Sequence, residues 1–361
     1  SKQGINGTLS GTIHNIDQYI QRMKTHYISI MMDNTNTTTT TTTTLFANVD
    51  WKSSFGNKDQ DEPFPDLAIR KVKELVASDG MNYDVNNKGG QHLTPSEFHQ
   101  MLVSFILYIY INKYYIMEYP KLTITIPHPQ EQADDDLIML DVRNRFEYAI
   151  GHFEDSKERK AMDPNMRNFT QFKHYIKENK SVLKGKKILM YCTGGIRCET
   201  ASAYLNDIVN DDDGSKNNND QSSNNNKKTT KSSEIYQLQG GIHRYCEEYP
   251  DGYFKGKNFV FDRRMTMDTN TKAVGTCSEC GIECDVFHSG IVCTVCVCLV
   301  LVCKTCQTNG RPSLDNNNNN HDDLTTQKHT PPRRYEWYCK EHTYLSGNYF
   351  TFINIYNINE L

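Results

Sequence analysis

Three short apolar runs stand out in a chain that is polar over long stretches. Leu137-Ile138-Met139-Leu140 ends at Asp141, Lys187-Ile188-Leu189-Met190-Tyr191 ends at Cys192, and Ile235-Tyr236-Gln237-Leu238 leads to Gly240-Gly241. Apolar runs of this length are the pattern of parallel strands buried on both faces. Helical stretches near Asn168 to Asn179 and Glu199 to Leu205 fall between them. Alternating strands and helices predict an α/β fold, a parallel sheet flanked by helices.

Upstream, Gly4-Ile5-Asn6-Gly7-Thr8-Leu9-Ser10-Gly11 predicts a glycine-punctuated turn and short strand, Ile16 to Met23 an amphipathic helix, and Leu67 to Val76 a basic strand. Val103 to Met117 fits neither helical nor strand period. Three tracts, Thr35 to Thr44, Asn206 to Ser233 and Asn316 to Asn320, hold too little apolar surface to fold and are expected to be disordered. The resulting division is an N-terminal α+β unit over 1–100 with a Thr-rich insertion at 35–44, and an insertion or linker over 101–136. The sheet domain follows at 137–265 with a disordered insertion at 206–233, then a Cys-rich module at 275–345 and a tail at 346–361.

Composition narrows the function classes. With 40 Lys and Arg against 44 Asp and Glu, no global positive field advertises nucleic acid. Local phosphate contacts remain open at Arg70, Lys71, Lys73, Arg263 and Arg264, but no compact aromatic and basic motif of an RNA-recognition sheet is present. Ser1 to Ile13 has no signal-peptide pattern. Met101 to Ile111 falls short of the roughly 20 residues that span a bilayer. The chain is therefore expected to be soluble and cytoplasmic, with no membrane partner.

The chemistry concentrates in Cys192-Thr193-Gly194-Gly195-Ile196-Arg197-Cys198-Glu199, where a strand stops at a cysteine, glycines permit a tight loop and a helix begins at about Glu199. Ligands bind at such strand ends in open α/β sheets. Loop N–H groups and the helix start favour an anion at the Cys192 sulfur, so a depressed pKa and a reactive thiolate are expected. The competing reading, a buried small hydrophobe, is weakened by the surrounding glycines. Arg197 either faces the anion site or pairs with Glu147 or Glu199; Cys198 is a packing residue or a resolving thiol. Asp141 and Arg143 are expected to buttress the loop beside the substrate, and His152 to be structural. A cysteine phosphatase would need Arg six positions after its nucleophile, where this chain has Cys198 and carries Arg197 one place earlier.

Asp141-Val142-Arg143-Asn144, Ile150-Gly151-His152-Phe153, the cysteine loop and Leu238-Gln239-Gly240-Gly241-Ile242 together resemble a rhodanese domain over about Leu137 to Tyr253. More narrowly, Gly4-Ile5-Asn6-Gly7, Cys192 to Glu199, and Phe254-Lys255-Gly256-Lys257-Asn258-Phe259-Val260-Phe261-Asp262 resemble the bacterial tRNA uridine hydroxylase family and its eukaryotic rhodanese-domain relatives. The resemblance implies a persulfide-type catalytic Cys192 assisted by Arg197. It also implies a substrate pocket of Thr193, Gly194, Gly195, Ile196, Cys198, Asp141 and Arg143, and either sulfur transfer or oxygen-dependent hydroxylation of the tRNA wobble uridine. A sulfur donor and tRNA are the implied partners; a non-catalytic module binding a protein or RNA is the alternative. The resemblance also makes Ser1 to about Gly80 the remainder of a ferredoxin-like unit.

Nine of the twelve cysteines lie between Cys277 and Cys339. Cys277-x-x-Cys280, Cys293-x-x-Cys296, Cys303-x-x-Cys306 and Cys339-x-x-His342 supply eight ligands, enough for two tetrahedral zinc sites. The spacing leaves open which pairs share an ion. Cys284 and Cys298 fall outside it, and Val297 to Val302 reads as a buried strand.

Overall fold

The computed structural model describes residues 6–25, 27–34, 37–44, 46–47, 49–54, 69–81, 85–103, 136–210, 232–269, 271–288, 290–309 and 336–345. Helix α1, Ile13–Lys24, starts at Thr12, whose hydroxyl accepts from the Asn15 amide at 3.3 Å. It covers the expected amphipathic run with three residues to spare before Ile16. The Thr tract departs from expectation. Thr37–Thr44 (β2) pairs antiparallel with Tyr27–Asn34 (β1) in unbroken register, because β-branched threonine suits an extended backbone even where it cannot form a core. Described residues 6–12 and 69–76 contain no strand, so the two strands expected there are not formed in those parts.

The central sheet has the order β3-β7-β6-β4, with all strands parallel: Gln91–Leu93 (β3), Leu137–Asp141 (β4), Lys187–Tyr191 (β6) and Glu234–Leu238 (β7). The three apolar runs are thus strands, as expected. The fourth strand comes from the block assigned to the N-terminal unit, so the sheet reaches upstream of residue 137. It went unread because three residues are too few to show a period. Gly90, just before β3, lies so close to β7 and to Ser202 that a Cβ would stand 2.9 Å from Ile235.

Alternation along β6 sorts its side chains onto the two faces. Ile188 and Met190 pack with Phe172 and Ile176 of α5 (Phe172–Glu178), Ala201, Tyr204 and Leu205 of α7 (Ile196–Asn210), and Leu183 of α6 (Lys180–Leu183). Leu189 and Tyr191 face the other way, against Phe98 and Leu102 of α3 (Pro95–Leu102) and Ile242 and Tyr245 of α8 (Gly241–Glu248). α2 (Val85–Lys88) leads into β3.

Helix α7 runs to Asn210, taking the first five residues of the tract expected to be disordered. Asn210 clasps both ends of that tract, accepting from the Ser233 amide at 2.8 Å and donating to its carbonyl at 3.0 Å. A long insertion costs little when its ends already meet. Residues 211–231, 104–135 and 310–335, which contain all but the last two residues of the rest of that tract, most of the 101–136 insertion and the Asn run, lie outside the described residues, as does the 346–361 tail.

Helix α4, Arg145–Ile150, joins the sheet domain to the Cys-rich module. Phe146 and Ile150 pack with Phe259, Phe287 and Leu301. Beside them are β5 (Gly151–Phe153) against β8 (Phe254–Gly256), and β9 (Asn258–Phe259) against β10 (Thr266–Met267). The module is mostly turns plus α9, Lys304–Asn309. Val297–Val302 is not a strand: Val297 is 71% exposed at φ +60°, while Val300 to Val302 are buried. Among the described residues no helix is long and apolar enough to cross a membrane.

Candidate functional site

Cys192 follows β6 directly, and its side chain is buried. The loop turns tightly through Gly195 at φ +91°, which points the Gly195 amide at the Cys192 sulfur, 3.1 Å away. Its carbonyls are held from behind: Ile242 and His243 at the start of α8 donate to Cys192 and Thr193 at 3.0 and 3.1 Å. Gly241 allows this approach, since a Cβ there would meet the Cys192 carbonyl oxygen at 2.5 Å and its φ is +66°. Gly240 and Gly241 are therefore packing residues, as their position after a strand implied.

Burial pushes the Cys192 thiol up, but hydrogen bonds from the Cys198 thiol, the nearby Arg197 charge, and the amides of Cys198 and Arg197 outweigh it and draw the thiol down to about 6. Helix α7 begins at Ile196, three residues earlier than expected, so both amides belong to its first turn. Cys198, fully buried and bonded to the Cys192 sulfur, is pushed well above the usual thiol range. It serves as the protonated donor of the pair.

Arg197 turns its fork to Glu147, donating from Nη1 and Nη2 at 2.7 and 2.8 Å, and to Thr193 Oγ1 at 3.0 Å. Of the open alternatives, pairing with Glu147 is the one formed. Glu147 also accepts from Thr193 Oγ1 at 3.0 Å and from the Asn144 amide at 3.1 Å. Burial works against its charge, yet Arg197 holds the carboxyl below its ordinary range. Gly194 borders open space and Ile196 is 39% exposed, so the loop opens to solvent at these two residues.

Two candidates move away from substrate. Asp141 and Arg143 are fully buried and paired, Nε to Oδ1 at 2.9 Å and Nη2 to Oδ2 at 2.6 Å. Arg143 also donates to the Gly151 carbonyl and lies 5.6 Å from the Tyr191 ring centroid. They cannot line a substrate pocket; they brace the ends of β4 and β6. His152 stacks on Tyr148 with ring centroids 4.4 Å apart and is held below its ordinary pKa by burial, in keeping with a structural role.

The eight spaced ligands gather into two groups, in the crossed arrangement. Cys277, Cys280, Cys303 and Cys306 form one; Cys293, Cys296, Cys339 and His342 form the other, with donor atoms in each within 4.8 Å. Sulfurs of Cys280 and Cys303 stand 3.6 Å apart and those of Cys296 and Cys339 3.8 Å. Zn–S bonds in a tetrahedron set sulfurs about 3.8 Å apart, so the spacing fits. Cys284 and Cys298 stay outside both groups. Arg145 Nη2 donates to Cys296 and Cys339 at 3.1 and 3.2 Å, and Arg145 pairs with Glu341.

The rhodanese-like domain family matches residues 129–248 and the rhodanase C-terminal family residues 255–315. A tRNA uridine(34) hydroxylase from Corynebacterium kroppenstedtii is 30% identical over 78% of this chain and 73% of its own length. The chain belongs to the rhodanese-like family that includes these hydroxylases. Rhodanese-like domain-containing protein 6 of Arabidopsis thaliana is 30% identical over 86% of the chain, and a Staphylococcus carnosus tRNA uridine(34) hydroxylase 31% identical over 75%. The chain spans 45% and 62% of the lengths of these two relatives.

Sequence reasoning does not single out two of the functional residues, Glu147 beside the thiolate loop and Arg145 against the Cys293 group. An acid three residues after Asn144 was the one available signal for Glu147, since that spacing suits the first turn of a helix.

Proposed function

We propose that the chain is a rhodanese-type enzyme whose Cys192 thiolate is the reacting group, and that it acts in modification of the tRNA wobble uridine. The observation that carries the thiolate is the convergence of three amides and the Cys198 thiol on one buried sulfur. With a sulfane-sulfur donor, the thiolate forms a new S–S bond while the donor's S–S bond breaks, and the leaving group departs with the electron pair. The loop amides then face the terminal sulfur of the persulfide, which a nucleophilic acceptor can remove to restore the thiolate. Arg197, committed to Glu147 and Thr193, adds positive charge without offering a free fork, which favours a sulfur anion over a phosphate. Thr193, Gly194, Gly195 and Ile196 are the loop residues we assign to substrate, and the two Cys/His groups to structural zinc.

The wobble-uridine assignment draws on the names of the relatives. Mass spectrometry of tRNA nucleosides from cells carrying wild-type or Cys192→Ala protein tests it: loss of hydroxyuridine in the variant is expected, and an unchanged level removes the assignment. Incubation with thiosulfate should add one sulfur to Cys192. If thiocyanate forms from cyanide while hydroxyuridine stays unchanged, sulfur transfer is the reaction.

A further inference from the structure

Among the described residues, Phe261 is the largest apolar side chain left open beside the thiolate loop. It is 64% exposed, and its ring centroid lies 5.6 Å from the Arg197 guanidinium carbon. That guanidinium is in turn 3.0 Å from Thr193 Oγ1. The ring meets the buried Phe259 edge-on, with centroids 5.1 Å apart.

An isolated exposed Phe is ordinary. This one sits on a turn fixed from several sides. Val260 donates to the Met265 carbonyl and Met265 to that of Asp262, both at 3.0 Å, and the Asp262 carboxylate pairs with Arg264. Arg264 also reaches Ser54 at 2.8 Å, so it is tied to the turn rather than free for phosphate as the sequence suggested. The turn thus holds an aromatic face outward, with a cation lying over one side of the ring and solvent against much of the rest.

Flat, rigid and backed by a guanidinium, such a ring offers a stacking face to a planar partner. The loop it adjoins is open at Gly194 and Ile196. In the notation of RNA recognition, an unstacked base of a single-stranded loop is the partner that aromatic platforms take. We propose that Phe261 is a stacking platform for the wobble nucleobase of the anticodon loop at the mouth of the Cys192 site, positioning the RNA rather than taking part in the reaction. This rests on the reading of tRNA as substrate.

The test uses the full chain and two anticodon stem–loop RNAs, one with uridine at the wobble position and one abasic there, with binding measured at fixed salt. Phe261→Ala should weaken binding of the uridine RNA by about tenfold, the size of one lost stacking contact. It should leave the abasic RNA unaffected and the alkylation profile of Cys192 in place, while Phe261→Trp retains uridine binding. Equal affinity of wild type and Phe261→Ala for the uridine RNA, or an equal loss on both RNAs, overturns the platform alone. If wild type binds neither RNA and its Cys192 still reacts, the tRNA reading falls and the platform with it.

Discussion

The thiolate loop and the Cys-rich module both concentrate cysteine sulfur, and they do it by opposite means. At Cys192 a single sulfur is sunk at the end of a parallel strand, with N–H groups, one neutral thiol and the charge of Arg197 gathered around it. In the module the sulfurs come in clusters whose donors all lie within 4.8 Å of one another. Dipoles suffice for one charge, whereas three or four thiolates at that spacing repel one another unless a cation sits among them. The loop therefore needs only the fold, whereas clusters of this kind call for a cation among them. The two module clusters differ as well. The Cys277 group is served from within the module, the Cys303 amide reaching Cys277 at 3.2 Å. The Cys293 group is bound into the sheet domain by Arg145, two residues from the Glu147 that holds Arg197.

The largest effect expected from breaking this comparison is metal removal. Structural zinc contributes on the order of 10 kcal/mol to folding of small domains, so chelation should unfold the module while leaving the sheet in place. Metal analysis should find two ions per chain, and circular dichroism after chelation should retain the helical signal of α5 and α7. A folded module without metal would undo the assignment. Next in size is Asp141→Asn, which leaves the fully buried Arg143 without its counter-charge and should cost about 3–5 kcal/mol in denaturant unfolding. A loss under about 1 kcal/mol would mean the pair braces nothing.

How far the sequence could be read follows from the same contrast. Strands β4, β6 and β7 were legible because burial on both faces writes an apolar run, and the loop because a cysteine and two glycines at a strand end leave few alternatives. The metal ligands were legible as knuckles, since two-residue spacing is local. Their pairing was not, because it is decided by the fold of the whole module. Buried charges were the main loss. Asp141 and Arg143 are expected from the sequence to buttress the loop, but only the structure shows that they are fully buried against each other, and that Glu147 is sunk against Arg197. The Thr tract forms a strand against expectation because its composition speaks against a core but not against an extended backbone.

A smaller effect isolates the loop. Alkylation of Cys192 should follow a titration centred near 6 rather than the ordinary 9.0. The sign for stability follows from proton counting. Between those two values the unfolded chain keeps the proton that the folded thiolate has lost, so stability from this group rises with pH across that window. It is fully present above 9.0 and lost as pH falls through about 6. Comparing thermal unfolding of wild type and Cys192→Ser across the window reads this contribution directly, and parallel curves would show that the thiol is ordinary.

The smallest change sharpens the comparison most. Cys198→Ala removes a thiol donor from the Cys192 sulfur and leaves the amides in place. A hydrogen bond to a charged group contributes roughly 1.5–3 kcal/mol, which corresponds to a rise of about one to two pH units in the Cys192 alkylation midpoint. Cys198→Ser restores a hydroxyl donor and should recover most of the difference, which a packing role alone would not give. If Ala and Ser shift the midpoint equally, Cys198 only fills space behind the loop, and the amides with Arg197 hold the thiolate without it.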